Sequence, residues 1–105
     1  MSGTLGLSDS DVGSICTILS QYQDVEEARI FGSRAKGSYK QGSDIDISLN
    51  GKNLSLRIAA AIQEKLNEET ILPYRFDVLW YESIESEDLR EHIDRVGKVL
   101  YKKEF

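Results

Sequence analysis

One cysteine, one proline, one histidine and one tryptophan are spread over 105 residues, and no apolar run approaches the roughly 18 residues that a bilayer-spanning helix needs. Each scarcity excludes something. The lone Cys16 rules out an internal disulfide and a cysteine-based zinc site, and it suits a reducing cytoplasm, which is the expected compartment. The lone His92 rules out a general-base pair of histidines. The first residues, MSGTLGLSDSD, carry neither the basic nor the apolar region of a signal peptide, so secretion is not expected. A net charge of −5 argues against broad, non-specific nucleic-acid binding, which depends on neutralising phosphates. Repeats, low-complexity tracts and linkers are absent. A chain that is 40% hydrophobic and 30% charged at this length supports a single globular domain over 1–105 with one core.

What is present is a regular alternation of helical and strand patterns. Residues 8–23 read as an amphipathic helix with Val12, Ile15, Cys16, Leu19 and Tyr22 on one side, opened by a capping box of Ser8 and Asp11. EARIF, 27–31, is a short strand ending at Gly32, and DIDISL, 44–49, is a second. Gly51 and Asn53 break the chain before a helix over about 54–69, striped by Ile58, Ala59, Ile62 and Leu66. After Pro73, YRFDVLWY (74–81) has the strongest strand composition in the chain. Ser86 can cap a last helix through about Val96, Gly97 stops it, and VLY can add a final short strand. The fold class is therefore α/β (α+β): a small mixed sheet with helices packed on one face, its strand order left open.

Two of these strands carry carboxylates where a buried strand should not. Residues i and i+2 share a face, so Ile45, Ile47 and Leu49 point one way and Asp44, Asp46 and Ser48 the other. In the third strand Phe76, Val78 and Trp80 form the apolar face and Asp77 lies opposite. If the two strands are neighbours, Asp44, Asp46 and Asp77 converge. Three converged carboxylates repel one another, and a divalent cation relieves the conflict. Oxygen-only ligands favour Mg²⁺, with Mn²⁺ an alternative, over zinc. Two such ions about 3.5–4 Å apart could clamp the attacking and leaving oxygens of a phosphoryl displacement. An Asp-x-Asp pair alone is a weak signal, and Asp9-Ser10-Asp11 is the internal control: it sits at a helix start, where acids favour the helix dipole.

The segment between the first two strands, GSRAKGSYKQGS, supplies the opposite charge. Gly32 permits a sharp turn and close approach to a ligand. Backbone N–H groups and the Ser33 hydroxyl could hold phosphate oxygens, with Arg34, Lys36 and Lys40 adding positive charge. The plain alternative is a solvated basic turn. The segment does not match the Walker pattern of P-loop proteins. His92 reads as a solvated helix position, Cys16 as core and Trp80 as core, with base stacking at a cleft edge as its alternative. Glu64, Lys65, Glu68 and Glu69 read as a solvated helical face.

Gly32-Ser33, ten intervening residues and Asp44-Ile45-Asp46 resemble the GS-x10-DxD signature of the DNA polymerase β-like nucleotidyltransferase superfamily. GSRAKGSYKQGSDIDISL most resembles its minimal bacterial and archaeal members, the MNT family, and the likeness extends through the third acid in RFDVLW. The resemblance implies the polymerase β-like nucleotidyltransferase fold. It implies that Gly32 and Ser33 bind the β- and γ-phosphates of a nucleoside triphosphate, assisted by Arg34. It implies that Asp44 and Asp46 coordinate two Mg²⁺ ions, with Asp77 as third metal ligand and activator of the acceptor hydroxyl. Glu82 and Glu85 lie downstream as alternatives to Asp77, whose mid-strand position favours it. The implied reaction is attack of a hydroxyl on the α-phosphate of a nucleoside triphosphate such as ATP, releasing pyrophosphate.

Larger relatives in that superfamily carry a second domain for the base and acceptor, for which 105 residues leave no room, so a partner subunit or a homodimer is expected to complete the cleft. The resemblance implies a helical HEPN-type partner, with the chain as an antitoxin that transfers AMP onto a HEPN toxin. Two other readings compete: a non-enzymatic nucleotide-binding module that neutralises its partner by contact, and a transferase acting on a small molecule such as an aminoglycoside.

Overall fold

A computed structural model describes residues 7–32, 35, 44–70 and 74–103. Among the described residues the elements run in the order α1 (Asp9–Ser20), β1 (Glu27–Phe31), β2 (Ile45–Asn50), α2 (Leu56–Glu69), β3 (Phe76–Trp80), α3 (Glu87–Val96) and β4 (Lys98–Lys102), with a short 3₁₀ turn, Tyr81–Ser83, after β3. The ends are set by local chemistry. Ser8 accepts the Asp11 amide at 3.0 Å while the Asp11 carboxylate accepts the Ser8 amide at 3.3 Å, which completes the expected capping box. Ser55 and Ser86 cap α2 and α3 in the same way, by accepting the amides of Ile58 and Leu89. The first helix stops at Ser20, short of the expected Gln23, and Asp44 lies just ahead of β2 rather than within it.

The four strands form one sheet in the order β3-β2-β1-β4. β1 is antiparallel to both β2 and β4, and β2 is parallel to β3, so the sheet is mixed as expected. A parallel pair needs a crossover, and α2 lies on the segment that provides it. β4 carries a bulge opposite the Ala28–Arg29 step, where Leu100 is the extra residue.

The residues that alternate inward do so in register. Ala28 pairs with Leu49 and Ile30 with Ile47, and Ile47 in turn pairs with Val78. This face joins Ile15, Ile18 and Leu19 of α1 and Ala59, Ile62 and Leu66 of α2 in one core. Each large aliphatic side chain buried there contributes about 1.5–3 kcal/mol. Cys16 belongs to this helix side, donates to the Leu100 carbonyl at 3.3 Å, and has its thiol pKa raised by burial, so it behaves as packing rather than as a nucleophile. Trp80 packs against the same core, with the apolar face of β3.

α1 and α2 share one face of the sheet, but α3 departs from the expected one-face arrangement. Phe31 and Leu79 point to the opposite face, and they need a cover of their own. Ile93 of α3 packs with Phe31 and Ile84, flanked by Leu79, Tyr81 and Leu89. Ser48, on the same face as Asp46, is fully buried. The acidic face is thus half roofed by a helix rather than open.

The outer edge of β3 is closed by side chains from α2. Asn67 accepts the Phe76 amide at 2.7 Å and donates to the Phe76 carbonyl at 3.1 Å, while Gln63 accepts the Val78 amide at 2.8 Å. These groups point away from β2 and would otherwise lack partners. Replacing Asn67 by Leu, similar in size but unable to bond, is expected to cost about 2–3 kcal/mol by leaving two backbone groups unpaired. A urea titration checks this, and an unchanged midpoint would show that water replaces both bonds without cost.

Candidate functional site

The site begins with the pairing of β2 and β3. Asp46 stands directly opposite Asp77 across the parallel ladder, and Phe31 is the partner of Asp46 on the other side. Cross-strand partners present their side chains on one face, so Asp46 and Asp77 face each other beneath the roof made by α3. Both are half-buried, whereas Asp44 is exposed at the mouth of β2. Glu82 and Glu85 lie past the strand and are exposed. Of the three acids weighed for the third position, Asp77 is the one set against Asp46.

The electrostatics carry the mark of this crowding. Burial, and then the neighbouring charges of Asp77 and Asp44, hold the Asp46 carboxyl above its usual pKa. Asp77 and Asp44 therefore each lie within electrostatic range of Asp46. Among the described residues, however, no three carboxylate, histidine or cysteine side chains are drawn close enough to hold a metal by themselves. The donor chemistry fits a hard divalent cation, because the set is oxygen-only and its repulsion is relieved by positive charge.

A raised carboxylic pKa has a definite sign for stability. The folded chain binds the proton of Asp46 more tightly than the unfolded chain, so this group's contribution falls as pH rises from the ordinary aspartate range through its raised value. Asp46→Asn removes that penalty. The variant is expected to melt above the wild type at neutral pH, with the gap closing as pH falls through the raised value into the ordinary aspartate range. Thermal melts across pH check this, and a gap independent of pH would show that the carboxylate is not under strain.

Gly32 closes the site from the end of β1. Its φ is +77°, in the left-handed region that disfavours side chains, and a Cβ there would run into the Asp46 carboxylate. The left-handed conformation therefore favours glycine here, and a side chain would also have to push the Asp46 carboxylate aside. Ser33 and Arg34, with Lys36 and Lys40, lie outside the described residues. The control pair behaves as a structural one, since Asp11 completes the α1 cap and also accepts from the Tyr74 hydroxyl at 3.2 Å.

His92 is the residue that the sequence reading placed in solvent. It is half-buried, accepts the Gly32 amide on Nε2 at 3.2 Å, and meets the Phe31 ring edge-on at 6.2 Å between centroids. The signal was its spacing. His92 follows Leu89 by three positions and precedes Val96 by four, so it belongs to the apolar stripe of α3 rather than to its wet side.

The structure thus sets facing acids on adjacent strands of a mixed sheet, with a left-handed glycine against them. The chain belongs to the polymerase beta nucleotidyltransferase family, whose model matches residues 14–105. It is 32% identical over 100 residues to the probable protein adenylyltransferase MntA of Haemophilus influenzae, covering 95% of this chain and 87% of that protein. Among solved structures it resembles a chain of a toxin–antitoxin crystallised with AMP-PNP, at a TM-score of 0.73 and 23% identity, covering 89% of this chain and 74% of that one. It also resembles a chain of the complex between a tri-AMPylated Shewanella oneidensis HEPN toxin and its MNT antitoxin, at a TM-score of 0.66 and 21% identity over 88% of this chain and 70% of that one. At these identities the structural likeness establishes the shared fold.

Proposed function

We propose that this chain transfers AMP from ATP to a hydroxyl group on a HEPN-type helical protein and serves as the antitoxin to that protein. The observation that carries the reading is Asp46 facing Asp77 on parallel strands, with the Gly32 backbone against the same carboxylate. The relative from Haemophilus influenzae, named as a protein adenylyltransferase and similar over nearly the whole chain, supports the choice of acceptor class. So do the fold neighbours assembled with toxins. Expression in the cytoplasm, where ATP is plentiful, suits the free thiol of Cys16.

In this reading Gly32, Ser33 and Arg34 bind the triphosphate, and Asp44, Asp46 and Asp77 hold divalent metal, Mg²⁺ before Mn²⁺. Metal bound there supplies counter-charge for the acids and for the phosphates. In the same reading Asp77, half-buried and paired with Asp46, takes the proton of the acceptor hydroxyl. The hydroxyl oxygen forms a bond to the α-phosphorus as the bond from that phosphorus to the bridging oxygen breaks. The electron pair leaves with pyrophosphate. The chain's own contribution is positioning on two rigid strands and a charged, partly roofed site.

The test uses the purified chain, Mg²⁺ and the helical protein encoded beside it. Label from α-labelled ATP is expected on that protein, and label from γ-labelled ATP is not. Transfer that survives Asp44→Asn and Asp46→Asn would assign the chemistry elsewhere. Full protection from the toxin by the doubly substituted chain would instead favour neutralisation by contact.

A further inference from the structure

The amide hydrogen of Gly32 can be used once. In the reading above it belongs to a phosphate oxygen, and that oxygen must sit about 3 Å from the amide nitrogen to accept it. In this structure the place is taken by His92 Nε2, 3.2 Å away. A nitrogen that accepts a backbone hydrogen is unprotonated, so the ring carries its proton on Nδ1. The ring does not hang loosely over the turn. Phe31 meets it edge-on at 80° between planes, and the next residue, Ile93, anchors α3 with only 1% of its surface exposed. The helix that roofs the acids thus brings one imidazole lone pair to the one amide at the left-handed turn.

We propose that His92 is a placeholder for phosphate in the nucleotide site: its Nε2 holds the Gly32 amide in the free protein and surrenders it to a triphosphate oxygen on binding. This rests on the nucleotide site proposed above. The arrangement keeps the Gly32 amide paired while no ligand is present. It also makes the nucleotide displace a bond before forming its own. His92 is a positioning residue: it acts through Gly32 and, on this account, leaves the α-phosphate and the acceptor untouched. The expected signature is therefore on KM and not on kcat.

His92→Ala is expected to bind inorganic tripolyphosphate and Mg·ATP about fivefold more tightly, the worth of one neutral hydrogen bond no longer displaced, with kcat unchanged. His92→Gln, whose side-chain oxygen can accept in the place of Nε2, is expected to restore the wild-type KM. Nitrogen-15 NMR of the unsubstituted chain gives a check that needs no variant. In the free protein Nε2 should be the unprotonated nitrogen and the Gly32 amide should be coupled to it. Tripolyphosphate and Mg·ATP should move both signals together, and adenosine should move neither.

Binding of Mg·ATP that shifts the Asp46 carboxyl signal but leaves Gly32 and His92 in their free positions would overturn the placeholder and leave the nucleotide site standing. A raised KM in His92→Ala would overturn it too, since it would make the imidazole a contributor to the bound state. No perturbation by Mg·ATP at any of the three residues would overturn the inference together with the site it rests on.

Discussion

Asp44→Asn and Asp46→Asn are each expected to lower the rate of adenylyl transfer by at least about a thousandfold, equivalent to about 4 kcal/mol of barrier. The substitution preserves size and shape and removes charge, so the loss isolates electrostatics from packing. Unfolding would not explain it for Asp46, because that carboxyl is held above its normal pKa by burial and by Asp77 and Asp44, and its neutral replacement relieves the strain. A variant that melts higher and works far less well is the behaviour of a residue retained for chemistry at a cost in stability. The two substitutions should not multiply, since residues that act on one charge cluster lose most of their effect together. Single-turnover rates for the two single variants and the double variant measure this. A double variant slower than either single by the product of their effects would show two independent roles.

Gly32→Ala is expected to reduce transfer about a hundredfold and to lower stability by about 1–2 kcal/mol, a shift of several degrees in Tm for a chain of this size. Two causes are separable. The left-handed φ of +77° penalises any side chain, and the added methyl displaces the Asp46 carboxylate. Combining Gly32→Ala with Asp46→Ala distinguishes them, because the Asp46 Cβ lies 3.7 Å from the added carbon and makes no collision. The pair should recover the part of the stability lost to collision and none of the activity. Non-additive melting temperatures are the expected reading of that cycle; strict additivity would leave backbone conformation as the sole cause.

The strands were legible because alternation reports a face directly. Asp46 and Asp77 could be assigned to one side of two strands before anything was known of their pairing, and the parallel register then set them opposite each other. α3 was harder for a physical reason. Its apolar stripe says that one side of the helix is buried, and says nothing about which side of the sheet buries it. Phe31 and Leu79 were the missing clue, two apolar residues on the polar face that needed a cover. The burial of His92 is readable from its spacing on that stripe, but its partner Gly32 is not, since it lies 60 positions earlier and no periodicity links them. The β3 edge was equally silent: Gln63 and Asn67 look like ordinary surface residues of α2 until the strand beside them is in place.

Those two amides give the sheet a polarity. β3, one of its two outermost strands, is already occupied by Gln63 and Asn67, and the other, β4, begins and ends in lysine as KVLYK. A sheet that offers only one edge can join a second copy of itself once and then stop, because the pair so formed has a sealed strand at both ends. Ribbons and fibrils need two live edges per molecule. Among the described residues, a pair of polar side chains on one helix therefore takes up backbone groups of an outermost strand that a further strand would need.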